Sequence, residues 1–286
     1  MKKLIILAGA IGLSFSAMFA RLSNANSLAL AFYRMFFAVL FLLPITLWKH
    51  RDEFRSITVK QWLLCAISGI FLGFHFTCFF VSLDYTTIAS TTVLVDTEVF
   101  FVALLGWLFA KEKITVHGIT GILLAFAGSI IIAMGDAGKS PNMILGDIIA
   151  LVGAVFIAIH VRMGKLCRTN ISTTVYTTII YFFAALCMGV EMLIKGIPFT
   201  GYDGYNYLLA LGLTVFCTFL GHSIFNWGLK YEKATFISMA KLLEPVFASV
   251  MGVVLFKEMV AGRTVMGCLL VIAGIIYYIL RGSQEN

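Results

Sequence analysis

Apolar residues run through this chain in long unbroken stretches separated by short polar clusters. Reading between the clusters gives ten stretches, at about residues 4–20, 27–48, 61–82, 87–110, 116–134, 142–161, 172–194, 205–229, 234–256 and 264–280. Each approaches the roughly 20 residues that a helix rising 1.5 Å per residue needs to cross a bilayer. The stretches are continuously apolar rather than alternating, which excludes a membrane β-barrel. Little chain is left for a soluble domain, so the pattern predicts an all-α polytopic membrane protein with ten transmembrane helices. The first stretch is short and follows Lys2 and Lys3. For that stretch alone a cleaved signal peptide is the competing reading.

Composition agrees with the pattern. Of 286 residues 60% are hydrophobic and 12% charged, against roughly 25% charged in soluble domains. A net charge of +7 would raise nucleic acid as a partner for a soluble protein. In a membrane protein it points to basic cytoplasmic loops instead. An inside N-terminus assigns Lys2, Lys3, Lys49, Arg51, Arg55, Lys60, Lys111, Lys113, Arg162, Lys165, Arg168, Lys230, Lys233 and Arg281 to the cytoplasmic side, fourteen in all. Five remain outside: Arg21, Lys139, Lys195, Lys257 and Arg263. This asymmetry predicts cytoplasmic termini in a bacterial inner membrane. The six cysteines are scattered, with no spacing of a zinc site or a disulfide frame, and no metal or cofactor is expected. No GxxxxGK[ST] phosphate loop, GxSxG elbow or HExxH occurs, so an ATP-driven pump, a serine hydrolase and a zinc protease are set aside.

Shifting the sequence by 146 residues aligns its halves without a gap from Leu83/Leu229 to Gly128/Gly274. Twelve positions are identical, among them Glu98/Glu244 and Lys111-Glu112/Lys257-Glu258. The chain reads as a duplication of five spans, with one repeat over 1–135 and the other over 142–281. Because five is odd, the second copy enters the membrane from the opposite side. Inverted repeats of this kind build secondary transporters, whose substrate sites lie near the midplane between the copies.

The stretch GHSIFNWGLKYEKATFISMAKLLEPVFASVMGVVLFKE (221–258) resembles the second half-repeat of EamA-type drug/metabolite transporters. SLDYTTIASTTVLVDTEVFFVALLGWLFAKEKIT (82–115) is similar to the first, with Val99 where the second half has Pro245. Arg34, in FYRMFFA, sits where members of that family commonly carry arginine. The resemblance covers nearly the whole chain. It implies ten helices around a cavity open to one side at a time, and export of small metabolites. A channel or lipid scramblase of the same membrane fold is the alternative. Proton coupling and facilitated diffusion both fit the sequence, and oligomeric state is not legible in it.

Charged side chains near the bilayer centre are expensive and usually face a cavity or one another. Glu98 and Glu244 lie near the middle of the fourth and ninth stretches and are expected to bind a cationic group or a proton. Lys241 precedes Glu244 by three residues, which sets both on one face of a continuous helix. A substrate carboxylate could then meet Lys241 while an amine meets Glu244; an internal ion pair is the competing reading. This favours amino acids or related zwitterions as substrates. His75 is central in the third stretch, and His222 and Asn226 share a face of the eighth. These three are further cavity candidates, or else hydrogen-bonded links between helices. Asp96 stands two residues before Glu98, about 200° around a regular helix, and is expected to bond a neighbouring helix rather than share its cavity. Arg34 reads as one member of a structural pair. Gly69 and Gly73 form a GxxxG, the signature of close helix approach.

Overall fold

The structure, a computed structural model, describes residues 1–112, 114–134, 143–168, 171–256 and 262–282. Among the described residues nine helical runs are long and apolar enough to cross a membrane. They match nine of the ten stretches. The remaining one, 116–134, is a shorter apolar helix.

Along the chain these are α1 (Lys2–Leu13) and α2 (Ser16–Leu22), α3 (Ser27–Lys49), a short α4 (Arg51–Ser56), α5 (Val59–Ser82), α6 (Ile88–Asp96), α7 (Glu98–Ala110) and α8 (Val116–Ala133). Then follow α9 (Met143–Cys167), α10 (Thr173–Lys195), α11 (Gly204–Gly212), a π-helical stretch Leu213–His222, α12 (Ser223–Gly228), α13 (Ala234–Lys241), α14 (Glu244–Phe256) and α15 (Gly262–Tyr277). Lys113, Lys139, Lys257 and Glu258, all singled out in the sequence, lie outside the described residues.

Polar residues at the stretch boundaries set where helices begin. Asn26 accepts from the backbone N–H groups of Leu28 and Ala29, and Thr58 and Gln61 form a reciprocal capping box at the start of α5. Thr87, Thr115 and Ser172 cap α6, α8 and α10 in the same way. Each cap satisfies an N–H that the first helical turn leaves open.

Lipid is as apolar as leucine, so helix association relies on close backbone approach and interhelical hydrogen bonds. α5 packs along α9, α10 spans α3 and α5, α1 lies on the π-helical stretch, and α8 pairs with α15. Small residues make the last contact possible. A methyl group at Gly128 would stand 2.6 Å from the Gly267 carbonyl oxygen, and one at Gly274 would stand 2.7 Å from that of Gly121. Gly69 of the predicted GxxxG does the same for α5 on α10, where a methyl would meet the Ile180 carbonyl at 2.5 Å.

Two stretches that the sequence presents as single spans are broken near their middles. The fourth stops at Asp96 and restarts at Glu98, and the ninth stops at Lys241 and restarts at Glu244. Pro245 falls in the first turn of α14, a position that tolerates proline because its missing N–H has no intrahelical partner there. α7 has no proline and breaks at Thr97 all the same.

Candidate functional site

The two breaks face each other inside the bundle. Glu98 and Glu244 each occupy the first position of the second half-helix, where the helix dipole favours a carboxylate. Lys241 ends the first half of the other broken span. Its ammonium Nζ lies 2.9 Å from Glu98 Oε1 and 3.1 Å from Oε2. Both residues are buried, so this is an internal ion pair joining α7 to α13. Lys241 therefore engages the carboxylate of the opposite half rather than its sequence neighbour Glu244. Among the described residues no ion pair involves Glu244.

A cavity of about 40 Å³ opens between the breaks, lined by Arg34, His75, Asp96, Glu98, His222, Lys241 and Glu244 together with Ser16, Phe76 and Phe79. Five of the six expected site residues are thus brought together. The sixth, Asn226, is not among the lining residues: it lies a turn further along α12, where its carbonyl accepts from Arg168 Nε at 3.0 Å. Asp96 corrects the helical-wheel expectation. The 200° offset from Glu98 assumes a continuous helix, and the interruption at Thr97 lets both residues line one cavity.

Arg34, read as one of a structural pair, forms no ion pair among the described residues. Its Nε donates to Thr218 Oγ1 at 2.8 Å and its guanidinium lies 4.3 Å above the Phe76 ring. Thr218 belongs to the π-helical stretch, which also supplies His222 to the cavity. His75 Nδ1 is hydrogen-bonded to the Gly153 carbonyl at 3.1 Å, which anchors its ring to α9. His160, a residue the sequence reading passed over, joins Ser68 and Tyr176 in a buried network through Ser68 Oγ, at 2.9 Å to each.

One end of the bundle is open and the other is fastened. A vestibule of about 710 Å³ enters beside the loops around residues 22–27 and 83–87, with Ala17, Arg21, Leu30, Phe80, Asp84 and Thr86 in its walls. It runs along the helices that line the cavity, α2, α3, α5 and α6. At the opposite end Lys165 Nζ donates to the carbonyls of Leu229 and Glu232 at 2.9 and 2.6 Å. Arg168 donates to Asn226 O, to Ile171 O and to Thr173 Oγ1. Lys2 stacks 3.9 Å over the Tyr231 ring, and Glu112 pairs with Arg162 at 2.9 Å. The fastening residues carry no motif; only their clustering at helix ends was visible beforehand.

The sequence matches the EamA-like transporter family over residues 2–134 and again over 144–280. The chain belongs to that family. It is similar over most of its length to proteins described as uncharacterized transporters. One from Archaeoglobus fulgidus is 29% identical over 98% of this chain and 99% of its own. Another from the same organism is 24% identical over 93% of this chain and 91% of its own. The uncharacterized transporter YxxF of Bacillus subtilis is 26% identical over 97% of this chain and 87% of its own. A solved crystal structure superposes with a TM-score of 0.80 at 16% identity, covering 99% of both chains, and so shares the fold. This EamA-like chain is accordingly a multi-pass membrane transporter acting on a small-molecule substrate.

Proposed function

We propose that the protein is a secondary carrier that exports small polar metabolites, amino acids or related zwitterions foremost, across the bacterial inner membrane by alternating access. Its termini are cytoplasmic, and its halves, 1–135 and 142–281, are inverted five-helix repeats with the cavity between them. The observation that carries this reading is a cavity walled by buried ionisable residues from both halves, with a vestibule along the same helices at one end of the bundle and fastening contacts at the other. A carrier needs such a site, accessible to one side at a time.

The 146-residue register supports the repeat. Applied to α7 (98–110), the shift gives 244–256, the bounds of α14. Applied to α6 (88–96), it gives 234–242, within one residue of α13. Packing pairs also exchange: α5 on α9 in one sense answers α1 on the π-helical stretch in the other, and α8 on α15 maps onto itself.

Glu244, Lys241, Glu98, His75 and His222 form the proposed site. Glu244 is the carboxylate left open to solute, so a proton and a cationic substrate group would compete for it. Glu244→Gln keeps its shape and removes the charge. In proteoliposomes the wild type should show pH-dependent transport of amino acids, and the variant should lose that dependence while remaining folded. Transport by Glu244→Gln at the normal rate with an unchanged pH profile would make this carboxylate structural.

A further inference from the structure

The cavity wall contains two buried cations in different circumstances. Lys241 is neutralised by Glu98 across the helix breaks. Arg34 is 1% exposed and has no carboxylate within ion-pair distance among the described residues. Its Nε is fixed by Thr218, its Nη1 is 3.5 Å from Ser16 Oγ, and one face is covered by Phe76. The remaining nitrogen, Nη2, is buried without a hydrogen-bond partner. A charged donor in a low-dielectric setting is costly unless an anion and an acceptor meet it, and among the described residues Nη2 has neither within bonding distance. Two acidic residues on the same wall, Glu244 and Asp96, also lie outside ion pairs, and Asp96 Oδ2 is buried without a partner.

We propose that Arg34 is the anion receptor of the transport site, binding the carboxylate of the solute through the Nη1–Nη2 edge, while Glu244 and Asp96 receive a cationic group of the same molecule. This rests on the carrier reading and assigns the carboxylate to Arg34 rather than to Lys241, whose charge is already spent on Glu98. A planar guanidinium held at Nε presents a fixed fork suited to a carboxylate. Size agrees with a head-group site. About 40 Å³ accommodates a carboxylate or a few water molecules, whereas the 710 Å³ vestibule along the same helices, with Ser23, Ser27 and Thr87 in its walls, has room for a side chain.

The test uses proteoliposomes of the full chain and radiolabelled pairs of compounds: L-amino acids, each with its decarboxylated amine and its α-amide. The wild type should transport at least one amino acid and neither of its two partners. Arg34→Gln should abolish that transport. Arg34→Lys, which keeps a charge but not the fork, should retain a fraction of it. Because Arg34 is buried, Thr218→Val serves as a gentler variant that frees Nε without removing the guanidinium. It should raise KM for the same amino acid roughly 10-fold, with a lowered thermal midpoint because the buried Nε loses its acceptor. Equal transport of an amino acid and its amine, or normal transport by Arg34→Gln, would overturn the anion-receptor assignment and leave the carrier reading standing. Transport of no compound in any set would overturn both.

Discussion

At the scale of single residues, the Lys241–Glu98 pair is the most consequential contact in the bundle. Its two charges come from opposite halves of the sequence and meet at 2.9 Å with little exposure to water. Removing one partner of a buried pair leaves an uncompensated charge, a loss on the order of 3–5 kcal/mol, whereas replacing both with apolar residues is often neutral. Lys241→Met alone and Glu98→Leu alone are therefore expected to lower the thermal midpoint sharply, and the double variant to recover most of it. Equal destabilisation by the double and the single variants would show that the pair is not energetically coupled. The identity of both residues was legible in the sequence as midplane charges. Their pairing was not, because spacing along one helix reports neighbours three and four positions away and is silent on a contact 143 residues distant. The same silence hid the environment of Arg34.

At the scale of elements, hydrophobic length located nearly every helix and missed what happens inside two of them. The breaks fall at Asp96-Thr97-Glu98 and at Lys241-Leu242-Leu243-Glu244, polar interruptions too short to end either apolar stretch, so hydrophobic length alone runs across them. Pro245 was a local sign of one break; the first half has Val99 at that place and only the short polar run Asp96-Thr97-Glu98. The break is what turns Asp96 toward the cavity, against the helical-wheel expectation. Glycine spacing was more informative. Gly121, Gly128, Gly267 and Gly274 recur at intervals of seven and form the α8–α15 seam. Gly128→Val would force a side chain into the Gly267 carbonyl, and overpacking of this kind costs about 1–3 kcal/mol. A lowered thermal midpoint is expected for Gly128→Val, while Gly204→Val, at an open position, should leave it unchanged.

At the scale of the whole molecule, the fastened end and the open end occupy opposite sides of the bundle. In the proposed orientation Lys165 and Arg168 close the cytoplasmic side. In a background without the six native cysteines, cysteines placed at Asn24 and Asp203 should react with a reagent added outside, and one at Arg51 with a reagent added inside. Asn226→Cys, buried behind Arg168, should be protected from the inner side. Lys165→Met removes both bonds to the 229–232 turn and should raise its labelling from inside several-fold. Protection unchanged by Lys165→Met would assign the closure to other contacts. The reverse pattern at Asn24 and Arg51 would invert the orientation.

The broken ninth span has a consequence for how the protein is made. Among the nine candidate spans, Ala234–Met251 is the least apolar and the most enclosed by the rest of the bundle. It carries Lys241 and Glu244, each of which weighs against partitioning from the translocon into lipid. As a nascent segment it has little means of entering the bilayer by itself. Its charge partner on α7 is synthesised 143 residues earlier and waits in the membrane for it. Biogenesis should therefore be ordered, with the first five helices acting as an intramolecular insertase for the ninth. Residues 234–256 in a host protein should insert poorly beside residues 143–167, and Glu98→Ala in the full chain should increase the share of molecules in which this segment fails to cross.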